Sequence, residues 1–173
     1  FLYQCQENLF APLQMNETGW LLEEGLDTMH IAMPYQWTGS TYSPYGHYGF
    51  SDYPAGSLRT SVDQLAHFLL CYMNGGTYQG QQVLQSSTVD MILSPQIPNI
   101  DPDMGLIWFS GQAVGTTWWG HNGGMAGTRT IMYFTPEYDC GHIILSNGES
   151  DVGPLGFILY DYATDSIETH CLP

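Results

Sequence analysis

Apolar positions recur along this chain with two different periods, and the change between them divides it. Leu2, Cys5, Leu9 and Phe10 fall at helical spacing, and Pro12 predicts the end of that helix. Val62, Leu65, Ala66, Leu69 and Tyr72 form the apolar stripe of a second helix, with Thr60 or Ser61 as its cap. Ser61 followed by Gln64 reads as a capping box, and Asn74-Gly75-Gly76 as a left-handed exit. A third helix starts at Ser86 or Ser87 and stops at Ser94-Pro95. From Met104 the period shortens to two, or to brief apolar runs. Strands are expected over Gly105–Phe109, Thr116–His121, Thr128–Phe134 and Gly141–Ser146, with Pro136–Asp139 as a turn. Their short connections predict antiparallel pairing. Pro154 opens a last helix, whose Leu155, Ile158, Leu159, Tyr162 and Ile167 are expected to face the sheet.

This order predicts an α+β (mixed α/β) fold: an antiparallel sheet flanked by helices. One domain is expected over 1–173, with helices and aromatic loops in 1–103, and antiparallel strands and a C-terminal helix in 104–173. The stretch from Gly19 to Tyr53 shows no period. It carries Trp20, Tyr35, Trp37, Tyr42, Tyr45, Tyr48 and Phe50 among glycines and prolines. So long and aromatic a loop either lines a pocket or covers a core, and the residues alone leave both open.

Composition narrows the function. The 173 residues contain no lysine, and Arg59 and Arg129 are set against seventeen acidic residues, for a net charge of -15. Two arginines make no basic surface to neutralise phosphates, which argues against nucleic acid and against an anionic membrane surface. No apolar run is long enough to span a bilayer. Cys5, Cys71, Cys140 and Cys171 lack metal-ligand spacing, and whether they pair stays open. No metal or cofactor is expected. Asn16-Glu17-Thr18 spells a glycosylation sequon, or simply a turn. The first residue, Phe1, is not a methionine, so the chain is expected to be processed or cut from something longer.

One stretch concentrates the candidate chemistry: Trp118-Trp119-Gly120-His121-Asn122-Gly123-Gly124-Met125-Ala126-Gly127. Two bulky aromatics lead to a histidine, and then side-chain bulk disappears. Gly123 and Gly124 would let a ligand approach backbone N–H groups, which can hold a developing oxyanion. His121 can donate a proton or a hydrogen bond. A β-bulge with a satisfied histidine would leave the same trace. A nucleophile is harder to find. There is no G-x-S-x-G elbow, and Ser-x-x-Lys is impossible without lysine. His67 and His142 read as structural residues on a helix and a strand.

Several segments resemble the C-terminal half of the serine beta-lactamase and penicillin-binding-protein superfamily, in its class C beta-lactamase and esterase-like branch. Leu9-Phe10-Ala11-Pro12-Leu13-Gln14-Met15-Asn16-Glu17-Thr18 is similar to the family's F-x-P-L-G-M-x-x-T stretch, with Gln14 in place of glycine. The segment from Tyr53-Pro54-Ala55-Gly56 through Ser61-Val62-Asp63-Gln64-Leu65-Ala66 resembles its P-A-G-G-L-x-S-T-x-x-D-L-A helix start. Trp119 to Gly127 resembles its G-H-x-G-G-x-x-G strand, while Pro136-Glu137 and Ile143 to Asn147 resemble the turn and strand that follow.

The resemblance implies a partial beta-lactamase/transpeptidase-like fold and a serine hydrolase or acyl transferase working through an acyl-enzyme. His121-Asn122-Gly123 would be the third motif, in contact with substrate, and Gly124 would supply an oxyanion N–H. His121 stands where many relatives have lysine, so recognition of a substrate carboxylate would depend on its protonation. The family's Ser-x-x-Lys and Tyr-x-Asn motifs lie upstream of the segment matching Leu9 to Thr18. Tyr72-Met73-Asn74 has the second motif's letters but the wrong place in the order. The nucleophile is therefore expected outside this chain, and the chain alone is expected to be inactive. The alternative is a truncated, non-catalytic binding or structural relative. An independent hydrolase built on local Ser and His residues is a weaker third reading. In the family the upstream segment adds strands to the sheet and helices over it, so its absence should leave a bare edge and an apolar face. The expected partners are a small-molecule or peptide substrate, and either the missing N-terminal segment or a second copy. Such relatives are commonly exported to the periplasm or secreted, but the residues do not fix a compartment.

Overall fold

The computed structural model describes residues 1–22, 26–113 and 115–170, leaving aside the side chains at 113 and 166–170. α1 (Leu2–Cys5) runs into a π-type turn over Gln6–Phe10, which buries Phe10 and delivers Leu13 and Met15 to the interior. The aromatic stretch is not wholly irregular. β1 (Tyr35–Trp37) and β2 (Tyr42–Pro44) pair antiparallel across a turn in which Gly39 takes φ +98°.

α2 (Val62–Met73) begins as expected, with Ser61 Oγ accepting from the Gln64 amide at 3.2 Å. The Gln64 side chain does not complete the box. It accepts from the Glu17 amide at 3.0 Å and from Thr18 Oγ1 at 2.7 Å, tying the helix start to the N-terminal segment. This places Thr18 of the sequon-like triplet in a buried structural role, 5% exposed. A small hairpin of β3 (Thr77–Tyr78) and β4 (Gln81–Gln82) leads to α3 (Ser86–Ile92).

Four strands then form one antiparallel sheet in chain order: β5 (Phe109–Ala113), β6 (Thr116–Met125), β7 (Thr128–Thr135) and β8 (Cys140–Ser146). α4 (Gly153–His170) closes the chain. Two strands depart from the sequence reading. The first lies at Phe109–Ala113 rather than Gly105–Phe109, because residues 105–108 bend: the Gly105 amide donates to the Trp108 carbonyl at 2.7 Å. In that run Gly105 and Trp108 are buried, while Leu106 is exposed and Ile107 is 75% exposed. The second continues past His121 to Met125, since Thr128–Met132 carry the ladder onward opposite the glycines.

Strand alternation gives the sheet two unlike faces. Trp119, Phe134 and Gly141 are cross-strand neighbours on the front face. There they meet α2 and α3 in a core of Leu69, Tyr72, Val89 and Trp108. A Cβ on Gly141 would sit 2.9 Å from Leu69 Cδ2, so the missing side chain is what lets α2 approach. A second core of Phe10, Leu13, Met15, Trp20, Cys71 and Tyr78 lies on the other side of α2.

The back face carries Trp118, Tyr133 and His142, and among the described elements only α4 covers it. α4 does not use the face expected for it. Leu155, Ile158 and Tyr162 are exposed, whereas Gly156 and Tyr160 are buried toward the sheet. A Cβ on Gly156 would lie 2.5 Å from Ile131 Cδ1, and Tyr160 Oη meets Thr116 Oγ1 at 2.5 Å. Contact through a glycine and one tyrosine brings the helix close at those points and leaves its bulky residues outside. The side chain of Ile167, also expected on that face, lies outside the described residues. Cys5, Cys71 and Cys140 are free thiols, and Cys171 lies outside the described residues. Among the described residues no helix is long and apolar enough to cross a membrane.

Candidate active site

β6 builds the site by outrunning its neighbour. Its pairing with β5 ends at Gly120 opposite Phe109, while pairing with β7 continues to Met125 opposite Thr128. The stretch His121–Met125 is therefore held from one side only, and all five residues are exposed. An open, rigid strand edge offers fixed backbone donors and acceptors to an extended substrate. All four residues singled out by sequence lie on it: His121, Asn122, Gly123 and Gly124.

The two glycines are there for different reasons. A Cβ on Gly123 would fall 2.5 Å from Thr130 Oγ1, so cross-strand packing already demands glycine. A Cβ on Gly124 would reach only ordinary contact, 3.4 Å, with Arg129. Packing does not require the bare backbone at Gly124.

His121 Nδ1 lies in close contact with the carbonyl of Asn122, and its ring centroid is 5.4 Å from that of Phe109. Among the described residues no serine hydroxyl is hydrogen-bonded to a histidine. Tyr72 and Asn74 are structural here. Tyr72 is packed in the core against Trp108, and Asn74 caps α2 through the Leu70 carbonyl at 2.8 Å. His67 is also structural, with Nδ1 2.9 Å from the Leu13 carbonyl.

The hairpin tip beyond Gly124 is braced by residues the sequence reading did not single out. Arg129 donates to the carbonyls of Met125 at 3.0 Å and Thr128 at 2.7 Å. Tyr48 Oη donates to the Ala126 carbonyl at 2.5 Å, and the Gly127 amide donates to Glu149 Oε1 at 3.1 Å. Gly127 takes φ +74°, and a Cβ there would strike Pro34 at 2.6 Å. The aromatic stretch is thus locked onto the tip of the candidate strand. The scarcity of cations was the one sequence signal for this, because Arg129 is one of two.

Behind the same strand runs a groove of about 540 Å³ between the sheet and α4, reached by Asn122, Gly123 and Gly124. Among the described residues two buried polar side-chain atoms have no hydrogen-bond partner, Thr135 Oγ1 and His142 Nε2, and both residues line it. Burial pushes the His142 pKa below the usual histidine value, so the ring is neutral at pH 7.

An antiparallel sheet with helices on both faces and an open, glycine-bearing strand edge is the partial beta-lactamase/transpeptidase-like fold. The family model described as Beta-lactamase matches residues 1–159, and the chain belongs to that family. No curated protein sequence matches significantly. Solved structures do. An octameric penicillin-binding protein homologue from Pyrococcus abyssi superposes with TM-score 0.70 at 20% identity, over 84% of this chain and 33% of that one. A penicillin-binding protein from Bacillus halodurans gives 0.68 at 18%, over 97% and 49%. D-amino acid amidase from Ochrobactrum anthropi SV3, complexed with L-phenylalanine amide, gives 0.69 at 16%, over 96% and 50%. The chain spans a third to a half of the length of these relatives.

Proposed function

We propose that this chain is the C-terminal portion of a beta-lactamase-like serine hydrolase, contributing one wall of the active site and not its nucleophile. The observation that carries this is the bare backbone at Gly124 on an open strand edge, where packing gives no reason for glycine. The Gly124 N–H serves as oxyanion donor to the carbonyl of a beta-lactam, peptide or ester. His121, Asn122 and Gly123 hold the rest of the substrate along the strand. The serine that attacks, and the base that activates it, come from the upstream part of the fold that the longer relatives carry.

That part also has a place to sit. β8 forms the outer edge of the sheet and carries no charged residue from Cys140 to Ser146. Leu155, Phe157 and Ile158 stand exposed on α4 beside the groove. A flat, uncharged edge next to an apolar helix face is a surface built to be covered. Upstream strand and helix cover it, with a polar side chain meeting Thr135 and His142. A second copy is the alternative occupant, but it brings another net charge of -15.

The test is turnover of a chromogenic beta-lactam and of a short-chain nitrophenyl ester, with intact-mass analysis for an acyl adduct. The 173-residue chain should show neither turnover nor adduct. A polypeptide extended upstream along its own gene should show both, and His121→Ala in it should reduce kcat/KM about tenfold or more. A serine of the short chain labelled during turnover would overturn the proposal.

A further inference from the structure

A second, smaller cavity of about 180 Å³ opens on the front face, at the far end of the candidate strand. Its walls combine the apolar side chains of Ile31, Pro34, Phe50, Leu58 and Met125 with the polar ones of His47, Tyr48, Ser57, Arg59, Thr128 and Thr130. Thr130 joins it to the site, since its Oγ1 lies 2.5 Å from where a Gly123 side chain would begin. Gly123 and Met125 share that face by alternation and lie about 7 Å apart along the strand, within reach of one amino-acid side chain.

Three features define what fits. The first is size, because a cleft for a whole drug-sized ligand needs roughly 300 Å³ or more, so this one takes a single side chain. The second is charge. Although the chain has seventeen acidic residues, none of those described lines the cavity, and the one formal charge on its described wall is Arg59. The Arg59 guanidinium is committed to the wall itself, donating to the carbonyls of Trp20 at 2.6 Å, Tyr48 at 2.8 Å and Ser57 at 3.0 Å. Its role is bracing. The third is rigidity: the same Tyr48 is bonded to the hairpin tip, and Gly127 is jammed against Pro34, so the walls are fixed before a ligand arrives.

We propose that this cavity is a specificity pocket that selects substrates with an uncharged apolar side chain, leucine- to phenylalanine-sized, next to the reacting carbonyl. This rests on the acyl-transfer reading of the strand for its biological meaning, but its test does not. The chain is titrated by calorimetry and ligand-observed NMR with N-acetylphenylalaninamide, N-acetylleucinamide, N-acetylalaninamide and N-acetylglutamate. The first two should bind at least tenfold more tightly than the alanine probe. Ala32→Trp, at the exposed rim, should weaken the phenylalanine probe tenfold or more, and Met91→Ala, 57% exposed on α3, should change it less than twofold. Leu58→Ala should shift preference toward a naphthylalanine probe, which guards against misfolding of the rim variant. Absence of binding, equal binding of the alanine probe, tighter binding of glutamate, or indifference to both pocket variants would overturn the proposal. If the acyl-transfer reading alone is wrong, the upstream-extended polypeptide shows no turnover while the apolar preference persists.

Discussion

The two faces of the sheet are built from the same four strands and end up in different conditions. In front, Trp119 and Phe134 are closed over by α2 and α3, and Trp108 fills the space between with ring contacts at 4.6 Å to Tyr72 and 5.7 Å to Phe134. Behind, Tyr133 meets Trp118 at 4.7 Å and His142 at 5.7 Å, and one helix touches down through Gly156 and Tyr160. Sequence-local helices complete the front. Behind, the groove is lined by Thr135 Oγ1 and His142 Nε2, which among the described residues have no hydrogen-bond partner. What separates the two faces among the described residues is how far helices close over them: α2 and α3 in front, the two touch-down points of α4 behind.

The sharpest way to break this comparison is to truncate one phenylalanine on each side. Phe134→Ala, at 3% exposure, should cost about 3–5 kcal/mol in urea unfolding. Phe157→Ala, on α4 and 65% exposed, should stay within about 0.5 kcal/mol. Equal losses would mean that α4 packs far more fully than described. Gly120→Ala should come next, at about 1–3 kcal/mol, because its Cβ would lie 1.9 Å from Tyr133 Cδ1 and 2.3 Å from the Met132 carbonyl. Ser61→Ala should remove the α2 cap for about 1 kcal/mol, read from the same denaturation curves.

Much of the front was legible because local rules governed it. The Ser61 cap, the α2 stripe and the four-strand order follow from caps and periods. The strand edge carrying His121 to Gly124 was legible as a motif before its geometry was known. What misled was apolar surface left exposed. Leu155, Ile158 and Tyr162 look like a sheet-facing stripe, yet α4 turns Gly156 and Tyr160 inward. Leu106-Ile107-Trp108 looks like a strand, but one buried tryptophan anchors a bend. The brace of Arg129, Tyr48 and Glu149 was invisible because it joins residues up to 78 positions apart, as in the Tyr48–Ala126 bond.

The smallest effect belongs to His142. Its folded pKa is lowered by burial, so the unfolded state binds more protons at mildly acidic pH. Its contribution to stability is complete above the unfolded histidine pKa of about 6.5 and is lost as pH falls from there through the lower folded pKa. His142→Phe should flatten the decline in stability between about pH 7 and pH 5 relative to the parent chain, with little change at pH 8. An unchanged difference across that range would mean that the ring is already solvated.

The claim that one face is complete and the other waits for an absent part is tested most directly by residue-resolved amide hydrogen exchange on the dilute chain. Amides in β6 and β7 between Trp118 and Phe134 should be the slowest in the molecule. The alternate amides of β8 that point away from β7, and those of α4, should exchange at least about tenfold faster. In an upstream-extended polypeptide the same β8 amides should slow to the level of β7. Uniform protection of β8 and α4 in the monomeric 173-residue chain would contradict the account.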